Sequence, residues 1–125
     1  MDVTIIAAGI MVGVAMAAAK ILEEKGIQTT VIDMFTIKPL DEETVLKYAN
    51  LTGAVVTAEN ANVIGGLGSS VSSYLSGVAP VPVLHLGVQD VFGEVGPESY
   101  LRKRFGLEPD DLVQMAEKTV AMKKR

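Results

Sequence analysis

Within TAENANVIGGLGSSV, residues Thr57 to Val71, Glu59 and Asn60 precede three closely spaced glycines, Gly65, Gly66 and Gly68. A glycine turn that opens a helix presents free backbone N–H groups, and such a terminus can hold a phosphate. A P-loop also needs Lys followed by Ser or Thr, whereas Gly68 runs directly into Ser69. Three readings stand: a turn from strand into helix, a contact with another domain or partner, and an anion seat. Glu59 and Asn60 sharpen the second, because contacts in open α/β sheets gather at the carboxyl ends of strands.

The remaining chemistry-bearing residues are sparse. A dinucleotide fingerprint needs a glycine in mid-turn so that the backbone can approach a pyrophosphate. The turn after the first apolar run reads Gly9-Ile10-Met11-Val12-Gly13, with bulky side chains in that place, and Asp33 reads as a polar residue at a strand end. His85 is the single histidine and shares a strand face with Val81 and Val83, as a packed or interface histidine. Without Cys, and with no Ser in a G-x-S-x-G elbow, nucleophilic catalysis has no candidate. Glu94, within the GEVGP stretch, and Glu98, just after it, read as carboxylates at a helix start. No complete active site emerges from these residues.

The elements that would position them alternate. VTIIAA (Val3–Ala8) is short, β-branched and continuously apolar, the pattern of a strand covered on both faces. Helical residues follow from Gly9 to a stop at Gly26, apolar around most of the circumference. Further strands are expected at Gln28–Met34, Ala54–Glu59 and Val81–Gly87. Helices are expected from the acids Asp41, Glu42 and Glu43 to Asn50, through GLGSSVSSYLSG, through GPESYLRKRFG, and from Glu108 to the end. Such alternation predicts right-handed crossovers and a mainly parallel sheet between helix layers, an α/β/α sandwich with strand order 2-1-3-4.

The whole, residues 1–125, has one domain's length and is 49% hydrophobic, enough for a core without disulfides. Net charge is −4, with no basic stripe before Lys123, Lys124 and Arg125, which argues against nucleic acid as a partner. The apolar run from Val3 to Ala19 is short for a membrane span and follows Met1-Asp2, acidic where an export signal carries Lys or Arg. Neither export nor membrane insertion is expected.

Three stretches together carry a family resemblance. DVTIIAAGIMVGVAMAAAKILEEKGIQTTVIDMFTIKPLDEE is similar to the opening of the C-terminal domain of transketolase-like thiamine diphosphate enzymes. AVVTAENANVIGGLGSSV resembles that family's strand, acidic residue and glycine turn, and GVQDVFGEVGPESYLRKRFGL its Phe-Gly-Glu segment. The likeness covers nearly the whole chain in order, and the last stretch leans towards transketolase. 1-Deoxyxylulose-5-phosphate synthase and the β subunit of 2-oxoacid dehydrogenases end in similar domains.

The resemblance implies a cytoplasmic transferase of the pentose phosphate pathway, which moves two-carbon ketol units between sugar phosphates using thiamine diphosphate and Mg²⁺. In that family one domain holds the diphosphate through a Gly-Asp-Gly motif and a metal, and a second holds the aminopyrimidine with a glutamate. The third, C-terminal domain serves packing and dimer contact. This chain contains no Gly-Asp-Gly. The resemblance therefore assigns it no catalytic, cofactor-binding or metal-binding residue and no activity alone. It implies partners in the missing N-terminal and pyrimidine-binding domains, and homo-oligomeric association. Glu59, Asn60, Gly65, Gly66, Gly68, Ser69, Asp90, Phe92, Gly93 and Glu94 carry over as interdomain or dimer contacts, with an anion-binding loop as the open alternative. The chain is expected to be a piece excised from a longer enzyme, whose antiparallel edge strand lies upstream. The alternative from another class is a free-standing anion-binding or regulatory module.

Overall fold

The apolar run at the start forms β1 (Val3–Ala7), and all five of its residues are buried. The computed structural model describes residues 2–9, 11–34, 41–62, 67–88 and 108–123. After β1 come α1 (Met11–Glu24), β2 (Thr29–Asp33), α2 (Glu42–Thr52), β3 (Val55–Asn62), α3 (Leu67–Val78), β4 (Val83–Val88) and α4 (Pro109–Ala121). The short helix expected in GPESYLRKRFG lies outside the described residues.

β1 pairs with β2 and β3, and β3 with β4, all in parallel, giving the expected order β2-β1-β3-β4. Alternation along each strand divides the side chains between two cores. Val3, Ile5, Ala7, Val56 and Ala58 pack with α1 and α4. Ile6 and Val55 pack with Val45 and Ala49 of α2 and with Val71 and Leu75 of α3. Helices therefore cover both faces, as β-α-β crossovers of one hand require when the strand order reverses direction.

Local chemistry fixes the ends of these elements. Gly9 turns the chain from β1 into α1 with φ +63°, Gly26 follows α1 with φ +83°, and Gly53 caps α2 with φ +71°. That left-handed region is open to glycine at no steric penalty. The side chain of Asp41 caps α2, accepting from the Thr44 backbone N–H at 3.2 Å and from its hydroxyl at 2.9 Å. The Glu108 N–H donates to Asp111 Oδ2 at 2.9 Å, and Pro109 opens α4. β4 begins at Val83, two residues after its expected start at Val81. Pro80 and Pro82 explain the delay: proline has no N–H for a ladder, although the Pro82 carbonyl still accepts from Val55 N at 3.0 Å.

Two threonines interrupt the apolar interior without leaving unmet polar groups. The hydroxyls of Thr4 and Thr52 lie 2.8 Å apart, within hydrogen-bond reach of the Tyr48 and Ala54 carbonyls. They tie the end of α2 to β1 from inside. At the surface, Lys25 Nζ meets Glu117 Oε2 at 3.2 Å and joins the end of α1 to α4. An exposed pair of this kind contributes no more than about 1 kcal/mol.

Candidate functional site

β3 carries Val55, Thr57 and Glu59 towards the face covered by α2 and α3, and β4 places His85 beside them. Thr57 and His85 are register partners, with Thr57 Oγ1 3.0 Å from His85 Nδ1. Burial pulls the His85 imidazole below its ordinary value, while the Glu59 carboxylate acts in the opposite direction. Burial prevails, so the ring is largely neutral at pH 7.

β3 changes step just beyond these residues. Ala58 pairs with Leu86 but Asn62 with Val88, so four residues of β3 advance against two of β4. The irregularity begins at Glu59. Extra residues of this kind re-aim side chains, and they concentrate at the working edges of sheets. Glu59 is only 4% exposed, and its Oε1 accepts the Gly68 backbone N–H at 3.4 Å. Gly68 is the second residue of α3. The free N–H of a helix start thus receives a carboxylate from the chain itself, with the helix dipole favouring the charge.

Gly68 has a second constraint. A Cβ there would lie 2.6 Å from His85 Nδ1, 2.8 Å from His85 Cγ and 3.0 Å from Thr57 Oγ1. The backbone of α3 thus comes closer to the β3–β4 pair than a side chain allows. Thr57, Glu59, Gly68 and His85 form one packed unit at the carboxyl ends of β3 and β4.

Of the residues nominated from the sequence, the structure brings Glu59 and Gly68 together. Asn60 continues β3, and Ser69 lies half-buried in the first turn of α3. Gly65, Gly66, Asp90, Phe92, Gly93 and Glu94 lie outside the described residues, as do Glu98 and the GEVGP stretch. Asp33 stands exposed at the end of β2. Sequence reasoning passed over Thr57. Its signal was the period-2 alternation that places it on the face of Glu59, but its partner His85 follows only once the β3–β4 register is known.

The chemistry available to this cluster is positional. At the start of α3 the Gly68 N–H already has a partner within the chain, Oε1 of Glu59. Among the described residues, no group of three or more His, Cys, Asp or Glu is placed to hold a metal ion. No described helix is long and apolar enough to cross a membrane.

Comparison with known proteins agrees with this architecture. The family model for the transketolase C-terminal domain matches residues 1–112. The 6-deoxy-6-sulfo-D-fructose transketolase subunit SqwH of Clostridium sp. (strain MSTE9) is 51% identical over 98% of this chain and 38% of its own length. The 1-deoxy-D-xylulose-5-phosphate synthase of Desulforudis audaxviator (strain MP104C) is 42% identical over 93% of this chain and 19% of its own. A solved split-gene transketolase, an inactive β4 tetramer, superimposes with a TM-score of 0.94 at 50% identity, over 98% of this chain and 40% of that one. The chain spans less than half the length of each of these relatives. It belongs to the transketolase C-terminal domain family.

Proposed function

We propose that this chain is the C-terminal section of a thiamine diphosphate-dependent transketolase, which as a whole moves two-carbon ketol units between phosphorylated sugars. The observation that carries this reading is the 51% identity to a transketolase subunit, sustained over 98% of the chain. In this reading the diphosphate- and pyrimidine-binding domains come from elsewhere in the enzyme. The present chain packs against them and against a second copy of the enzyme. Its contact edge is the end where β3 and β4 finish and α3 begins. The absence of Gly-Asp-Gly from the sequence and the carboxylate at the start of α3 both favour a supporting role over cofactor binding.

A second reading has a specific observation behind it, the 42% identity to a 1-deoxy-D-xylulose-5-phosphate synthase. One experiment separates the two. The assembled enzyme is given thiamine diphosphate, Mg²⁺, a ketose phosphate donor and an aldose phosphate acceptor, and in parallel pyruvate with glyceraldehyde 3-phosphate. Ketol transfer in the first mixture is the expected result. Deoxyxylulose phosphate from the second, with none from the first, would replace the transketolase reading by the synthase. The name of the first relative adds a 6-deoxy-6-sulfo ketose to the donors worth including.

A further inference from the structure

We infer that Glu59 is a positioning residue, whose buried carboxylate locks the start of α3 onto the irregular end of β3 and so sets the surface offered to the rest of the enzyme. The inference rests on the transketolase reading above and names the group that maintains its contact edge.

Three observations converge on one place. β3 gains two residues on β4 between Ala58 and Asn62, and a strand end released from its regular ladder needs another anchor. Glu59, at the first residue of that irregularity, turns a carboxylate into the interior, where ionised groups are held only when paired or hydrogen-bonded. Its described partner is the Gly68 N–H, across the junction from strand to helix. The third observation is the absence of room: Gly68 sits against His85 and Thr57 so closely that no side chain fits. Hydrogen bond and close approach act on the same residue, one at its N–H and the other at its Cα. Neither is needed merely to end a strand or start a helix, as the ordinary caps of α2 and α4 show. Together they fix α3 relative to β3 at the sheet edge where open α/β domains make their contacts.

The test compares Glu59→Gln with Glu59→Ala. Each is measured for association with the cofactor-binding domains of the enzyme, supplied as a separate companion polypeptide, and for amide exchange at Gly68 and Ser69. Glutamine keeps an acceptor for the Gly68 N–H. It is expected to associate within about threefold of wild type, whereas alanine leaves the donor unmet and weakens association by about tenfold or more. Exchange at Gly68 and Ser69 should accelerate in the alanine variant alone. Association of a folded Glu59→Ala chain at wild-type strength would overturn the inference. Should Glu59→Ala fail to fold, Gly68→Ala decides, since it keeps the carboxylate but displaces α3 from His85. A similar loss of association in a folded chain supports the inference, and wild-type association sinks it. A wild-type chain that does not bind the companion polypeptide would instead bring down the transketolase reading, and the positioning role with it.

Discussion

A methyl group on Gly68 would come within 2.6 Å of Nδ1 of His85, closer than real Cβ atoms approach a neighbour. The ring cannot step aside without giving up its 3.0 Å contact with Thr57 Oγ1. Gly68→Ala is therefore expected to destabilise the chain by about 1–3 kcal/mol, the usual range for overpacking. His85→Ala in the same chain removes the obstructing atoms and should restore part of the loss. Chemical denaturation of both single variants and the double variant checks this. Strictly additive losses would show that the two residues do not meet as described.

The same histidine gives the fold a pH dependence. Its folded value is lowered by burial, so the unfolded chain takes up a proton first as pH falls. The stabilising share of the neutral ring is fully present above the ordinary imidazole value of about 6.5. It is lost as pH falls from there through the lowered folded value. Denaturation midpoints followed below pH 7 should drop, and His85→Gln should flatten that part of the profile. An identical profile in the variant would remove His85 as the source.

Gly13 offers the opposite kind of test. It lies in the first turn of α1, is exposed, and a Cβ there would meet nothing within 4 Å. Alanine loses less backbone freedom on folding than glycine and suits a helix better. Gly13→Ala should stabilise the isolated chain by about 0.5–1 kcal/mol. Measured at a concentration where the chain is monomeric, a lower melting temperature would count against the open space found around this glycine.

Isothermal calorimetry of the isolated chain with thiamine diphosphate and Mg²⁺ should register no heat of binding. The basis is the missing Gly-Asp-Gly and the charge of Glu59 at the start of α3. Micromolar affinity would overturn the supporting role proposed for this section of the enzyme.

On its own the chain is expected to self-associate through α1. Met16 is 60% exposed, and Gly13 and Ala17 beside it are exposed as well, so the outward stripe of this helix is weakly polar as far as Lys20. Exposed apolar surface on a helix is available for association with a second copy. Sedimentation equilibrium at micromolar concentration should show mass above the monomer, and Met16→Lys should reduce it. A monomer mass for the wild-type chain counts against the idea.

Much of the architecture could be read from the chain, because its signals are local. Continuous β-branched runs, acids at helix starts and glycines past helix ends gave the β-α alternation, and crossover handedness then restricted the strand order. The working detail at the sheet edge was less accessible. β3 runs on to Asn62, past the expected end at Glu59, because its pairing with β4 resumes at Asn62 and Val88 after a step in register. That step in register is a property of two strands together, and no single segment encodes it. Glu59 was legible as an acid at a strand end, but its hold on Gly68 depends on a helix start nine positions later. Thr4 shows the same limit in the core. Its partners, the Thr52 hydroxyl and the Tyr48 carbonyl, lie on α2, more than forty positions along the chain.

The place of β1 in the sheet bears on how the chain tolerates trimming. Amino-terminal residues of most domains can be shortened because they fray from an edge. Here Val3–Ala7 forms an inner strand, bonded on one side to Thr29–Asp33 and on the other to β3. Removing those five residues would leave β2 with no described neighbour and open both cores to water. Any fusion, affinity tag or protease site placed ahead of this section must spare Val3, since clipping a few residues further would divide the sheet at its middle.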